Sequence, residues 1–264
     1  MTLLLGLILL AQPGPPARPA PCSPTWLAEF SLTSVRCAAE SGPNWSFAFA
    51  VSAEFVRSRS LELELDARRD FSRRDFDSVI TYAAANPDDR FFHDEIFVLD
   101  ADRPELLALS SMTSQYAGGA HPWHASDTLI WDRAANREIG LYDLFADPAA
   151  ARAELQRELC PALLTVRRRH HERSGGRFGG GCEAAPEEAG LDAGEDGRID
   201  TLRVRYAELD GYAGGEYEVY VPVTPRLIAA MKPGFRAAFR LSSEPTLGCN
   251  TNLIDPACAA RQRQ

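Results

Sequence analysis

Between Asn44 and Val56 the chain reads NWSFAFAVSAEFV, an aromatic and apolar run that predicts a strand. The next stretch, RSLELELDARRDFSRRDFDSVITYAAA, changes period. Leu61, Leu65, Phe76, Val79 and Ile80 recur at roughly helical spacing, and Asn86-Pro87 ends the helix. Strand-like runs follow in DEIFVLD, ELLALSSMTSQYAGG and SDTLIWDRAANREIGLYDLF, the last reading as a hairpin that turns over Asp132 to Arg137. Asp147 and Pro148 open a second helix, the carboxylate placed to cap and the proline in the first turn, which runs to about His171. SGGRFGGGCEAAPEEAG is a surface loop. Beyond it RIDTLRVRYAEL and GEYEVYVPV alternate as strands, TPRLIAAM is a short capped helix, and FRAAFRLS is expected to close a sheet. Runs of strands broken by a few helices predict an α+β fold, a mixed or antiparallel sheet packed against helices.

Composition narrows the class. The 264 residues are 45% hydrophobic and 25% charged, as in globular rather than disordered chains. A net charge of −9, with Lys232 the only lysine, argues against a nucleic-acid partner. The apolar run Leu3 to Leu10 is too short for a bilayer, which needs about 20 residues. It fits the hydrophobic region of a secretory signal followed by a Pro/Ala-rich exit, so residues 1–20 are expected to be a signal peptide. No basic residue precedes the run, and Cys22 lacks the aliphatic neighbour of a lipidation site. No other segment approaches transmembrane length. Six cysteines suit an oxidising compartment, and a sequential pairing is expected: Cys22–Cys37, Cys160–Cys182 and Cys249–Cys258. The protein is therefore expected to be periplasmic or secreted. Its main domain is expected over residues 22–246, with an N-terminal part to about 100, a C-terminal part over about 101–241, and a tail over 247–264.

The stretch SQYAGGAHPWHASDTLIWD, Ser114 to Asp132, stands out as candidate chemistry. His121 and His124 are three apart, a spacing that on a strand sends side chains to opposite faces. A zinc site would need them convergent with a third ligand such as Asp127, and Pro122 between them favours a turn. A metal-assisted hydrolase using His121, His124 and Asp127 is thus the alternative to structural or ligand-contacting histidines. DAGEDGRID places Asp192, Asp196, Gly197 and Ile199 at positions 1, 5, 6 and 8 of a calcium loop. Arg203 stands where position 12 needs a bidentate Glu, so an acidic turn before a strand is the reading. RRRHHER reads as a solvated helix end favoured by the helix dipole. Nucleophile-elbow, zincin and phosphate-loop motifs are missing. No catalytic residue, metal or cofactor is expected.

YAGGAH, Tyr116 to His121, followed by DTLIWDRAANREIGLYDLF, resembles a signature of the form Y-T-G-G-A-H followed by a strand and D-L-F. That signature belongs to the extracytoplasmic domain family shared by the anti-sigma factor RsiV and the peptidoglycan deacetylase PdaC. AELDGYAGGEYEVYVPVTPRLIAAM is similar to the family's C-terminal segment, and the likeness spans roughly residues 45 to 241. Ala117 replaces the usual Thr, and Pro122-Trp123 follows where a Gly is common. Gly118 and Gly119 permit positive φ, so the chain can turn sharply between strands, with His121 bonding across the turn. The resemblance implies a non-enzymatic cell-envelope protein. Its expected ligand surface comprises Tyr116, Gly118, Gly119, His121 and Trp123, and its expected partner is a lysozyme-like protein or peptidoglycan.

Overall fold

Ser58 begins the first helix: its hydroxyl accepts from the Leu61 N–H, and from there Leu61, Leu65, Phe76, Val79 and Ala83 are buried along one face. This helix, α1 (Arg59–Ala85), ends at Asn86-Pro87 as its sequence predicts. The Asn44 side chain donates to the carbonyls of Ala83 and Asn86 at 2.9 and 3.0 Å, tying the helix end to the strand beside it. The structure is a computed structural model and describes residues 35–52, 58–175, 181–182, 186, 188–206, 216–250, 253 and 255–261.

α1 covers one face of a six-stranded sheet made of β1 (Val35–Ser41), β2 (Trp45–Ser52), β3 (Phe91–Asp102), β4 (Leu106–Tyr116), β5 (Trp123–Asp132) and β6 (Arg137–Ile139), in that order. All neighbours are antiparallel except β2 and β3, which run parallel. A parallel pair needs a crossover, and α1 provides it. Alternation sends Phe47, Phe49, Val51, Phe97, Leu107, Leu109, Leu129 and Trp131 toward α1, where they form one buried core with Phe76.

The opposite face meets a second layer. β7 (Gly190–Ala193), β8 (Ile199–Tyr206), β9 (Tyr217–Pro222) and β10 (Leu247–Asn250) form a four-stranded antiparallel sheet in the order β10-β9-β8-β7. The long helix α2 (Pro148–Arg173) packs on β9 and β10, capped by Asp147, whose carboxylate accepts from the Ala150 N–H. Leu155, Leu159, Leu163, Leu202, Val204, Val219 and Val221 fill the space between them. Two short helices, α3 (Pro225–Ala230) and α4 (Pro256–Arg261), complete the described fold, which is α+β as the pattern predicts.

The two sheets share a hydrophobic core, in which Ala101, Leu106, Ala108, Ile130 and Ile139 of the large sheet meet Leu191, Ile199 and Leu202 of the small one, and a charged cluster also joins them. Arg203 on β8 donates to Asp100 at 2.8 Å and to Ser110 at 3.0 Å, and lies 3.2 Å from Asp192. Ser110 in turn donates to Asp100. Burial pushes the Asp192 carboxyl up to about 6 against the pull of Arg203. The residue that spoils the calcium-loop pattern is thus the ion-pair partner of the loop's first aspartate. The loop itself is the β7–β8 turn, closed by Gly194 N–H to Arg198 O and Gly197 N–H to Gly194 O, with Gly197 at φ +74°.

Two expectations change. FRAAFRLS does not join a sheet: Pro233–Ala238 is a 3-10 helix, and Phe239 makes only an isolated bridge to Ile199. Pro233 sets φ for a helical start, and Phe235 and Phe239, four apart, both reach the core. Within 247–264, Leu247–Asn250 is β10 and forms the edge of the small sheet. Near residue 100, β3 pairs with β4 through Asp102. The RRRHHER end of α2 is only partly solvated. Arg167 is buried, His170 Nδ1 lies 3.1 Å from the Tyr217 hydroxyl, and Arg169 sits 3.6 Å from Asp255.

Cys160–Cys182 and Cys249–Cys258 are disulfides, with Cα separations of 5.4 and 5.7 Å. Cys37 is disulfide-bonded as well; its expected partner Cys22 lies outside the described residues, as does the signal segment 1–20. No described helix is long and apolar enough to cross a membrane.

Candidate functional site

The YAGGAH stretch joins β4 to β5 at the end of the large sheet farthest from the Leu107–Leu129 core. Burial falls along both strands: the first six residues of β4 are buried and its last five are half-exposed, while β5 runs the other way. Gly118 and Gly119 hold φ of +95° and +110°, a region that side chains other than Gly rarely enter. At Gly118 a Cβ would also sit 3.3 Å from the Tyr82 ring. A hydrogen bond spans the turn from Tyr116, whose hydroxyl donates to the Gly119 carbonyl at 2.8 Å. His121 Nδ1 lies 3.0 Å from the adjacent Pro122 carbonyl, and the ring is exposed.

Around this turn stands a chain of aromatic rings. Tyr82 meets Phe91 edge-on at 5.7 Å, Phe91 stacks with Tyr116 at 6.1 Å, and Tyr116 stacks with Phe92 at 6.3 Å. Trp123 opens β5 opposite Gln115 and is 51% exposed; Tyr82 is 52% exposed. Of the sequence-derived residues, Tyr116, Gly118, Gly119, His121 and Trp123 all fall in this one region. Tyr82 and Phe92 were missed. Tyr82 carried a readable signal, an aromatic in the last turn of α1 off the stripe that reaches the core.

The two faces of β5 separate the residues of the metal-hydrolase alternative. Asp127 shares the α1 face with Leu129 and Trp131, and accepts from Arg68 at 2.9 Å. Arg68 also donates to both oxygens of Glu138, at 2.8 and 2.7 Å. His124 alternates to the other face, in the row Asp94–Ser114–His124 across three strands. His121 stands in the turn. The three do not converge, because a spacing of three on a strand reverses the face. Among the described residues no group of three or more His, Cys, Asp or Glu is placed to hold a metal ion.

Polar groups line both faces near this end. Under α1, His93 is buried and stacked on Phe47 at 5.2 Å, with Nδ1 2.8 Å from Gln115 Oε1 and Nε2 3.6 Å from Glu95. Glu95 accepts from Ser72 of α1 at 2.7 Å, so the helix is pinned to the sheet through this pair. On the other face burial pushes Asp94 up to about 6, with the His93 charge opposing it. Ser126 donates to Glu216 at 3.4 Å, and burial raises the Glu216 carboxyl too.

The sequence matches no protein family model and no curated protein. Solved structures do resemble it. A DUF3298 family protein from Pseudomonas aeruginosa PAO1 superposes with a TM-score of 0.52 at 15% identity, covering 79% of this chain and 96% of that one. A member of the DUF3298 family from Bacteroides fragilis NCTC 9343 gives 0.42 at 14% identity, covering 75% and 92%. DUF3298 denotes a domain of unknown function. At these identities the first likeness is one of fold, and it extends over almost the whole of the Pseudomonas chain.

Proposed function

We propose that the protein is an exported, non-enzymatic cell-envelope component that binds a cell-wall-associated partner, a lysozyme-like protein or peptidoglycan, through the aromatic rim of the β4–β5 turn. The observation that carries the reading is Trp123, half-exposed beside a turn shaped by two positive-φ glycines and the Tyr116–Gly119 bond. Trp123 and the half-exposed Tyr82 offer large ring faces at little conformational cost, which suits sugar faces or a protein partner. The resemblance of YAGGAH and the following strand to the RsiV and PdaC ectodomains supports the same partner class, and the disulfides suit an oxidising compartment.

Retention on immobilised lysozyme and on purified peptidoglycan tests the reading, with wild type compared to Trp123→Ala. Wild type is expected on at least one bait, and the variant is expected to be retained less while keeping its fold. A wild-type protein retained by neither bait overturns the reading.

A further inference from the structure

β5 is ten residues long, but β6 pairs with only three of them, Ile130 to Asp132. From Trp123 to Leu129 no described strand lies on that side. The direction of the free backbone groups follows from one bond. The Thr128 N–H donates to the Asp127 carboxylate at 2.7 Å and is hydrogen-bonded by Glu188 as well, so it points away from β4. In an antiparallel pair the outward residues repeat every second position. The N–H and C=O groups of His124 and Ser126 therefore face the same open edge, and none of them has a partner among the described residues.

Unpaired edges are templates for another strand, and proteins that keep them monomeric blunt them with charge. Here carboxylates outnumber guanidinium groups. Asp127 and Glu138 share Arg68, Glu188 is hydrogen-bonded to Asp127, and Glu216 accepts from Ser126. Crowding shows in Glu188: burial first, then the hydrogen bond and charge of Asp127, push its carboxyl up to about 7. A second copy of this chain would set Asp127 and Glu188 against their own duplicates. A strand carrying cationic side chains would meet complementary charge.

We propose that the edge of β5 between Trp123 and Leu129 accepts an extended, cationic segment of a protein partner as an added strand, using the outward N–H and C=O groups of His124 and Ser126. This goes beyond the rim reading, since it uses backbone groups rather than the aromatic faces, and the two stand or fall by separate measurements.

The probe is a short synthetic peptide alternating arginine and valine, titrated into the full chain and followed by Trp fluorescence and amide hydrogen exchange. Saturable binding is expected, with slowed exchange at His124 and Ser126. Methylating alternate amides of the peptide is expected to weaken binding by about tenfold or more through lost hydrogen bonds. Ser126→Pro is expected to do the same from the protein side through the lost outward N–H, with Ser126→Ala, which loses only the hydroxyl bond to Glu216, binding as wild type. The proposal is overturned if the arginine peptide does not bind, if the methylated peptide binds as well, or if a glutamate-valine peptide binds equally. Concentration-dependent dimerisation protecting Ser126 without peptide would assign the edge to a second copy instead. None of these outcomes bears on retention by lysozyme or peptidoglycan.

Discussion

The two ends of the β4–β5 hairpin are made from the same strands and do opposite work. At one end Leu107, Leu109, Leu129 and Trp131 lie under α1, each almost fully buried. At the other, Tyr116, His121 and Trp123 surround a two-glycine turn, and the side chains stand in or near solvent. Register is continuous between them, from Leu106 opposite Asp132 to Gln115 opposite Trp123. A packed end therefore fixes where an exposed end points. Recognition surfaces built this way are positioned by a core that takes no part in them.

The comparison breaks first at the packed end. Leu129→Ala removes a fully buried side chain from the α1 core and is expected to cost about 2–5 kcal/mol in urea denaturation, a transfer loss plus a cavity. A loss below 1 kcal/mol would mean the α1 layer is loosely packed. At the open end the largest effect is expected from the backbone. Gly119→Ala meets no steric neighbour, so its whole cost is the φ of +110°, expected to exceed about 1 kcal/mol. An unchanged midpoint would show that the turn relaxes.

Near the open end, on β3 opposite Gln115, lies His93. Burial pulls its imidazole down, but Glu95, Gln115 and the charge of Asp94 together raise it above the ordinary range. A raised folded-state value means stability that is complete below the unfolded pKa, about 6.5, and is lost as pH rises through the folded value. The groups facing His93 are Glu95 on its own strand, Gln115 on β4, Phe47 on β2, and Phe76 and Ser72 of α1 through ring contact and the Glu95 bond. Melting temperature against pH is expected to fall more steeply above pH 6.5 for wild type than for His93→Gln, and parallel profiles would remove this role. The smallest stability effect is expected at Trp123. Trp123→Ala should stay within roughly 0.5 kcal/mol of wild type while weakening retention on the bait. A cooperative loss of fold in that variant would make Trp123 part of the core and leave the rim without its anchor.

Much of the fold can be read from periods of two and 3.6. α1 runs Arg59–Ala85, bounded by Ser58 and Asn86-Pro87, and α2 runs from Pro148 behind its Asp147 cap, close to the pattern's limits. The site was legible as a cluster because Tyr116 to Trp123 is one short stretch, and its Gly-Gly pair does hold positive φ. Cys160–Cys182 and Cys249–Cys258 were legible from proximity along the chain. One failure is also local: FRAAFRLS has a strand's composition but begins after Pro233.

Everything that depended on a distant partner needed the fold. The parallel pairing of β2 with β3 comes from how α1 crosses over, and β10 became an edge strand through β9. Arg203 finds Asp100 across 103 residues, Ser126 finds Glu216 across 90, and Arg68 finds Asp127 across 59. A hydrophobic period says which face of a segment is buried but not what buries it. A charged residue in a sequence carries no mark of the counter-charge it will meet. That is why Asp127 could be read as a metal ligand from its spacing to His124. The strand's alternation and the guanidinium of Arg68 assign it instead to the opposite face.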